Sequence, residues 1–189
     1  TYGEYLYSTF QYGKVEGKIN LWKKKQSYLN EYRNRYSRQM VHPYWEYPNQ
    51  NFDSHIYPRG AAVLHMLRQI VGDDVFKEFQ EEFLNRFAFG NPTTEDLIGV
   101  FNDVAEKDYT WFFKQWVLSA GHPQLNIESS WKKGELTVAI NQTQVGRKTP
   151  TKYYLPSKIA FFFWHVDRIF FRIKTTENCA YLGCLHSCT

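Results

Sequence analysis

The sequence predicts a mostly α, multi-domain α+β chain. A helical lobe occupies residues 1–121, the start of a sheet domain 122–163, and an unassigned tail 164–189. Three observations lead there. Apolar residues recur at three- and four-residue steps through the first 121 positions, with Gly, Pro, Asn and Asp punctuating the runs. At His122 the period drops to two. A chain of 189 residues, 19% of them aromatic, also has the material for a sizeable core.

The elements follow in order. Tyr2, Tyr5, Leu6 and Phe10 form one apolar stripe before Gly13. Gly17 to Met40 is basic and tyrosine-rich (Lys23, Lys24, Lys25, Arg33, Arg35, Arg38), with Ile19, Trp22, Leu29 and Tyr36 expected to pack. His42 to Asn51, with Pro43 and Pro48, reads as an extended loop. Pro58 suits the first position of a helix, where its missing N–H costs nothing. Gly60, Val63, Leu64, Leu67, Ile70 and Val71 then share one face. Gly72 stops that helix, and Asp73 or Asp74 is expected to cap the next. Phe76, Phe79, Phe83 and Phe87 line a helix ending near Gly90. Thr93 with Asp96 has the capping-box spacing ahead of Leu97, Ile98, Phe101 and Val104. Asp108 is expected to cap the last helix, whose stripe is Phe112, Phe113, Trp116, Val117 and Ala120.

Beyond Gly121, Leu125 and Ile127 alternate with polar neighbours, Lys132-Lys133-Gly134 makes a turn, and Leu136, Val138 and Ile140 alternate again. A third strand is expected within Tyr153 to Phe163. From Trp164 onward the punctuation fades, and the abrupt change of composition predicts a change of reading frame or an incomplete gene end. Cys179, Cys184, His186 and Cys188 match no common zinc module, and incidental thiols in a loose tail are the preferred reading.

Composition narrows the function classes. A formal net charge of +4 is mild for this length and does not suggest a nucleic-acid protein. The basic segment Gly17 to Met40 could grip RNA or an acidic surface, but such runs are more often solvated helix faces. No apolar run approaches a membrane span. Thr1 leads straight into TYGEYLYSTF, which reads as helix rather than leader, and the missing initiator methionine predicts a piece of something longer.

The stretch DSHIYPRGAAVLHMLR, Asp53 to Arg68, delivers a tyrosine to the mouth of a well-formed helix. Tyr57 is placed just outside that rigid element. A neutral phenol there offers one strong O–H, suited to a catalytic hydrogen-bond donor. An ordinary half-buried tyrosine would occupy the same place, so spacing alone leaves both readings open.

Four segments, in order, carry a resemblance: TYGEYL, HIYPRGAAVLHMLR, GNPTTEDLIGVFNDVAEKD and WFFKQWVLSAGHPQL. Together with the sheet from Leu125 through AINQTQ, they resemble the second half of the catalytic region of the aminopeptidase N-like zinc peptidases. These gluzincins include leukotriene hydrolase. The likeness covers roughly residues 1–145. It implies the helical C-terminal lobe of a thermolysin-like catalytic domain followed by the start of a β-sandwich. It also implies removal of N-terminal residues from peptides. In that family zinc is held by the two histidines of an H-E-x-x-H helix and a downstream glutamate, and it activates water. A tyrosine ahead of a lysine- or arginine-glycine pair stabilises the oxyanion, and Tyr57 is the matching position.

One departure stands out: the sequence contains no H-E-x-x-H. None of its six histidines (His42, His55, His65, His122, His165, His186) pairs with another at the i, i+4 spacing. The resemblance therefore implies zinc in the parent protein with no ligand in this chain, and this piece alone is expected to be inactive. The expected partners are a peptide substrate and the upstream half of the same catalytic domain. Glu4 is a candidate for orienting a zinc-bound histidine, with a solvated glutamate near a helix start as the alternative. Asp53 and His55 are candidates for lining the substrate cleft. His65 reads as a satisfied core or boundary histidine. The alternatives from other classes are a non-catalytic helical interaction module derived from the same scaffold, or basic-helix binding to nucleic acid or acidic surfaces.

Overall fold

The computed structural model describes residues 1–42, 44–132, 135–156 and 170–175. Among these the chain is mostly helical and ends in a small sheet. It divides into two compact units, Thr1–Gly121 with Gly146–Pro150, and His122–Val145 with Thr151–Thr189. No helix among the described residues is long and apolar enough to cross a membrane.

The first unit opens with α1 (Tyr2–Tyr12) and α2 (Lys14–Asn34), separated by Gly13. The two pack closely at Gly17, where a Cβ would lie 2.0 Å from the Thr9 hydroxyl, so only glycine permits the approach. Tyr2 is buried as expected, but Phe10 is 87% exposed and Trp22 60%. Ile19 and Tyr36 are also exposed, and α2 instead turns Tyr28 and Glu31 inward. Helical spacing defines these faces correctly as faces; it cannot say that nothing in the described chain covers them.

A 3-10 turn at Pro48–Asn51 interrupts the expected loop and leads to α3 (Tyr57–Val71). Tyr57 is itself the first residue of α3, one position earlier than Pro58 suggests. Gly72, at φ 91°, ends α3 and is at once the N-cap of α4 (Asp73–Arg86). This backbone conformation favours glycine. Neither Asp73 nor Asp74 caps α4: Asp73 already lies in its first turn, and its carboxylate pairs with Arg68 at 2.7 Å. The α4 helix stops at Arg86, short of Gly90.

The capping box forms at the start of α5 (Thr94–Val104). The Thr93 hydroxyl accepts from Asp96 N–H at 3.2 Å, and the Asp96 carboxylate accepts from Thr93 N–H at 2.8 Å. The N-cap of α6 (Thr110–Trp116) is Tyr109 rather than Asp108, which stands one residue earlier and accepts from Thr110 N–H at 2.8 Å. All five residues of the predicted final stripe are buried. Aromatic edges meet faces through this core. Phe79 and Phe101 lie 4.9 Å apart at 76°, and Phe101 and Phe113 5.7 Å apart at 72°. These are the edge-to-face geometries that ring quadrupoles prefer.

In the second unit β1 (Leu125–Lys132) and β2 (Glu135–Gln142) pair antiparallel, with Ile127 opposite Ile140. The predicted turn falls on 133–134, outside the described residues. Both faces of β1 are exposed, so Leu125 and Ile127 alternate without being buried. The third strand is β3 (Phe170–Thr175), parallel to β2. Residues 153–156 of the expected strand are not extended into the sheet, and 157–163 lie outside the described residues, as does the cysteine cluster. Thus the segment without clear punctuation in the sequence contains a strand.

Candidate active site

The chemistry-bearing residues of the first unit converge on the turn Asp53-Ser54-His55-Ile56, which starts α3. A helix begins with N–H groups that have no partner inside it, and a buried start needs outside acceptors. Backbone carbonyls of the turn take the N–H groups of Tyr57, Arg59 and Gly60, and two carboxylates take the N–H groups of the turn itself. Oδ1 of Asp53 accepts from the N–H groups of His55 at 2.9 Å and Ile56 at 3.1 Å. Oε2 of Glu31, from α2, accepts from Ser54 N–H at 2.7 Å. Negative charge at this end also opposes the helix dipole favourably.

Both carboxylates are in turn held by cations. Arg38 forks onto Asp53, with Nη2 2.6 Å from Oδ1 and Nε 2.8 Å from Oδ2, the planar pairing that guanidinium favours. The Tyr36 hydroxyl donates to the same Oδ2 at 2.9 Å. Arg35 donates to Glu31 at 2.9 Å. Burial alone would raise the Asp53 pKa, but the hydrogen bonds from Arg38 and Tyr36 outweigh it and hold it below the usual aspartate value.

Tyr57 stands on this base. Its N–H donates to the Asp53 carbonyl at 3.3 Å, its ring tilts against Phe52 at 5.9 Å, and it is 41% exposed. Two residues on, Arg59 is only 3% exposed, with its guanidinium donating to the carbonyls of Arg38 at 3.2 Å and Ser119 at 3.1 Å. The helix carrying the phenol is therefore tied down on both sides of it.

His55 does not line a cleft: its exposure is 0%. The ring stacks on Tyr36 (5.3 Å, 12°) and meets the edge of Tyr28 (5.4 Å, 87°). Desolvation lowers its pKa, against a smaller opposing pull from Asp53. Asp53 does border a depression that Tyr36, Arg38, Trp45 and Phe52 also line. Glu4 is exposed on α1, where its carboxylate accepts from Lys24 of α2. The hydrogen bond from Lys24 holds its pKa below the usual glutamate value. His65 is half-buried, its Nδ1 3.5 Å from the Tyr2 hydroxyl and its ring against Tyr5.

Glu31, Asp53 and His55 bring potential metal donors within 4.8 Å of one another. The set does not fit zinc. Both carboxylates already accept from backbone N–H groups and arginines, and a dication beside the Arg38 fork would meet a like charge. Glu31, Arg38 and Arg59 are the residues of this network that no sequence pattern singles out. Their long-range partners, Asp53, Ser54 and Ser119, lie 15 to 60 positions away, beyond the reach of any helical or strand period.

Comparison with known proteins places this turn in context. The Peptidase family M1 domain matches residues 2–116, which include all six α-helices of the described residues. Mitochondrial aminopeptidase 2 of Saccharomyces cerevisiae is 31% identical over 94 residues, 50% of this chain. Aminopeptidase N of Streptomyces lividans is 35% identical over 71 residues, or 38% of the chain. Aminopeptidase M1-A of Oryza sativa subsp. japonica is 30% identical over 93 residues, or 49%. The matched segment is only 8–10% of the length of these relatives. With its helices, order and tyrosine-bearing turn inside the matched region, the chain belongs to peptidase family M1.

Proposed function

We propose that this chain is part of a zinc-dependent aminopeptidase that removes N-terminal residues from peptides, and that Tyr57 stabilises the oxyanion. The observation that carries the reading is the half-exposed phenol on a clamped helix start, inside the family-matched region. Zinc held by residues outside this sequence would supply a Lewis acid and an activated water. The chain's own part is to hold one O–H donor where negative charge develops on the carbonyl oxygen. A donor already in place needs no reorganisation when the charge appears, and this makes it effective.

The partners in this reading are a peptide and the remainder of the catalytic domain. The exposed side chains of Phe10, Val15 and Trp22 offer that remainder an apolar surface to cover. The same surface supports the second reading, a helical interaction module that has lost catalysis. Kinetics of the full-length protein separate the two. Tyr57→Phe is expected to lower kcat by roughly 10²–10³-fold with KM nearly unchanged. Full kcat in that variant would remove the oxyanion role, and absence of any peptidase activity in the full-length protein would favour the module.

A further inference from the structure

Asp53 lies four residues before Tyr57, and its contacts suggest more than a boundary of a cleft. One oxygen, Oδ1, takes two consecutive N–H groups of the turn that precedes the tyrosine. The Asp53 carbonyl takes the N–H of Tyr57 itself. Helix ends fray because their first N–H groups lack internal partners, and Tyr57, as the first residue of α3, sits where fraying is greatest. A carboxylate that closes the turn from outside removes that freedom. The carboxylate is immobilised in its own right: Arg38 grips both oxygens, and the third arm of Arg38 donates to the Gln39 and Met40 carbonyls at 2.8 and 3.3 Å. Arg59, beyond the tyrosine, closes the loop by donating to the Arg38 carbonyl.

We propose that Asp53 is a positioning residue for Tyr57: clamped by Arg38, it fixes the turn that aims the phenol. This inference rests on the oxyanion reading of Tyr57 and adds a specific route by which the aim is held. A misplacement of about 1 Å at a reacting group can cost on the order of a hundredfold in rate. The effect of losing Asp53 should therefore appear in kcat, and only while the tyrosine hydroxyl is present.

The test is a double-mutant cycle in the full-length enzyme, with peptide hydrolysis giving kcat and KM for Asp53→Ala, Asp53→Asn, Tyr57→Phe and the doubles. Asp53→Ala is expected to lower kcat by roughly ten- to a hundredfold at nearly constant KM. Asp53→Asn retains an oxygen for the turn N–H groups but loses the charged fork, and is expected to recover part of that loss. In the Tyr57→Phe background either Asp53 change is expected to cost less than roughly twofold. Equal losses in both backgrounds, or full kcat in both Asp53 variants, overturns the positioning role. Full kcat in Tyr57→Phe alone overturns the oxyanion reading instead, so the two failures are distinct. If Asp53→Ala does not fold, Asp53→Asn, which retains the turn acceptor, completes the cycle, and equal losses in both backgrounds again overturn the role.

Discussion

Two helices of this chain begin in opposite ways. At the start of α5, Thr93 and Asp96 satisfy each other across three residues, on the surface, with no outside help. At the start of α3, the turn N–H groups are satisfied by Asp53 and by Glu31 from another helix, and two arginines hold those carboxylates. The first arrangement keeps a helix from fraying. The second, on the positioning role proposed above, also aims the half-exposed tyrosine that follows the turn. The turn before Tyr57 thus draws on partners 15 and 23 positions away, where the start of α5 uses a partner three residues away.

That contrast can be broken from either side, beginning with the largest expected effect. Arg38→Ala leaves the nearly buried Asp53 carboxylate without its fork, and unpairing a buried charge typically costs about 3–5 kcal/mol. Urea unfolding is expected to show a loss of that order, and a loss below about 1 kcal/mol would mean that the clamp contributes little. Thr93→Ala removes the local cap and should cost about 0.5–2 kcal/mol in the same measurement. In the full-length enzyme it should leave kcat unchanged. A large kcat effect there would abolish the distinction between the two helix starts.

The smallest expected effect is in pH dependence. His55 is held neutral: desolvation lowers its folded pKa below 6.5, its ordinary value. The unfolded chain therefore binds the proton more readily. Stability from this group is fully present above 6.5 and declines as pH falls from 6.5 through the lower folded value. His65 is shifted in the same direction, by burial and then by Arg68. His55→Phe keeps a ring between Tyr36 and Tyr28 and removes one titration. Its unfolding midpoint should fall less than that of the wild type between about pH 7.5 and pH 5.5. An identical fall in both would show that His55 does not carry the dependence.

How far these features are legible in the sequence follows from their range along the chain. The capping box at Thr93 and the stripe Phe112, Phe113 and Trp116 are legible, because each is written within one or two helical turns; Val117 and Ala120 are buried past the end of α6. The helical lobe and the hairpin follow from period alone. Phe10 and Trp22 look like packing residues yet lie exposed, since periodicity identifies a face but not what covers it. The strand Phe170–Thr175 escapes pattern reading because its pairing with β2 is parallel and distant, with no turn signal to announce it. At the site, Tyr57 stands out through family resemblance. Its support does not: Glu31 and Ser54 are 23 positions apart, and Arg38 and Asp53 are 15 apart. Buried His55 resembles a cleft residue only because it is near Tyr57 in sequence.

The most direct test compares ligands of two shapes in the full-length enzyme. A phosphinic peptide presents a tetrahedral centre with a charged oxygen, whereas the peptide substrate presents a planar carbonyl. If Tyr57 donates to the oxyanion, Tyr57→Phe should weaken the phosphinic ligand by the same factor that it lowers kcat/KM, roughly 10²–10³-fold, while substrate KM hardly moves. Equal affinity of wild type and variant for the phosphinic peptide would contradict that role.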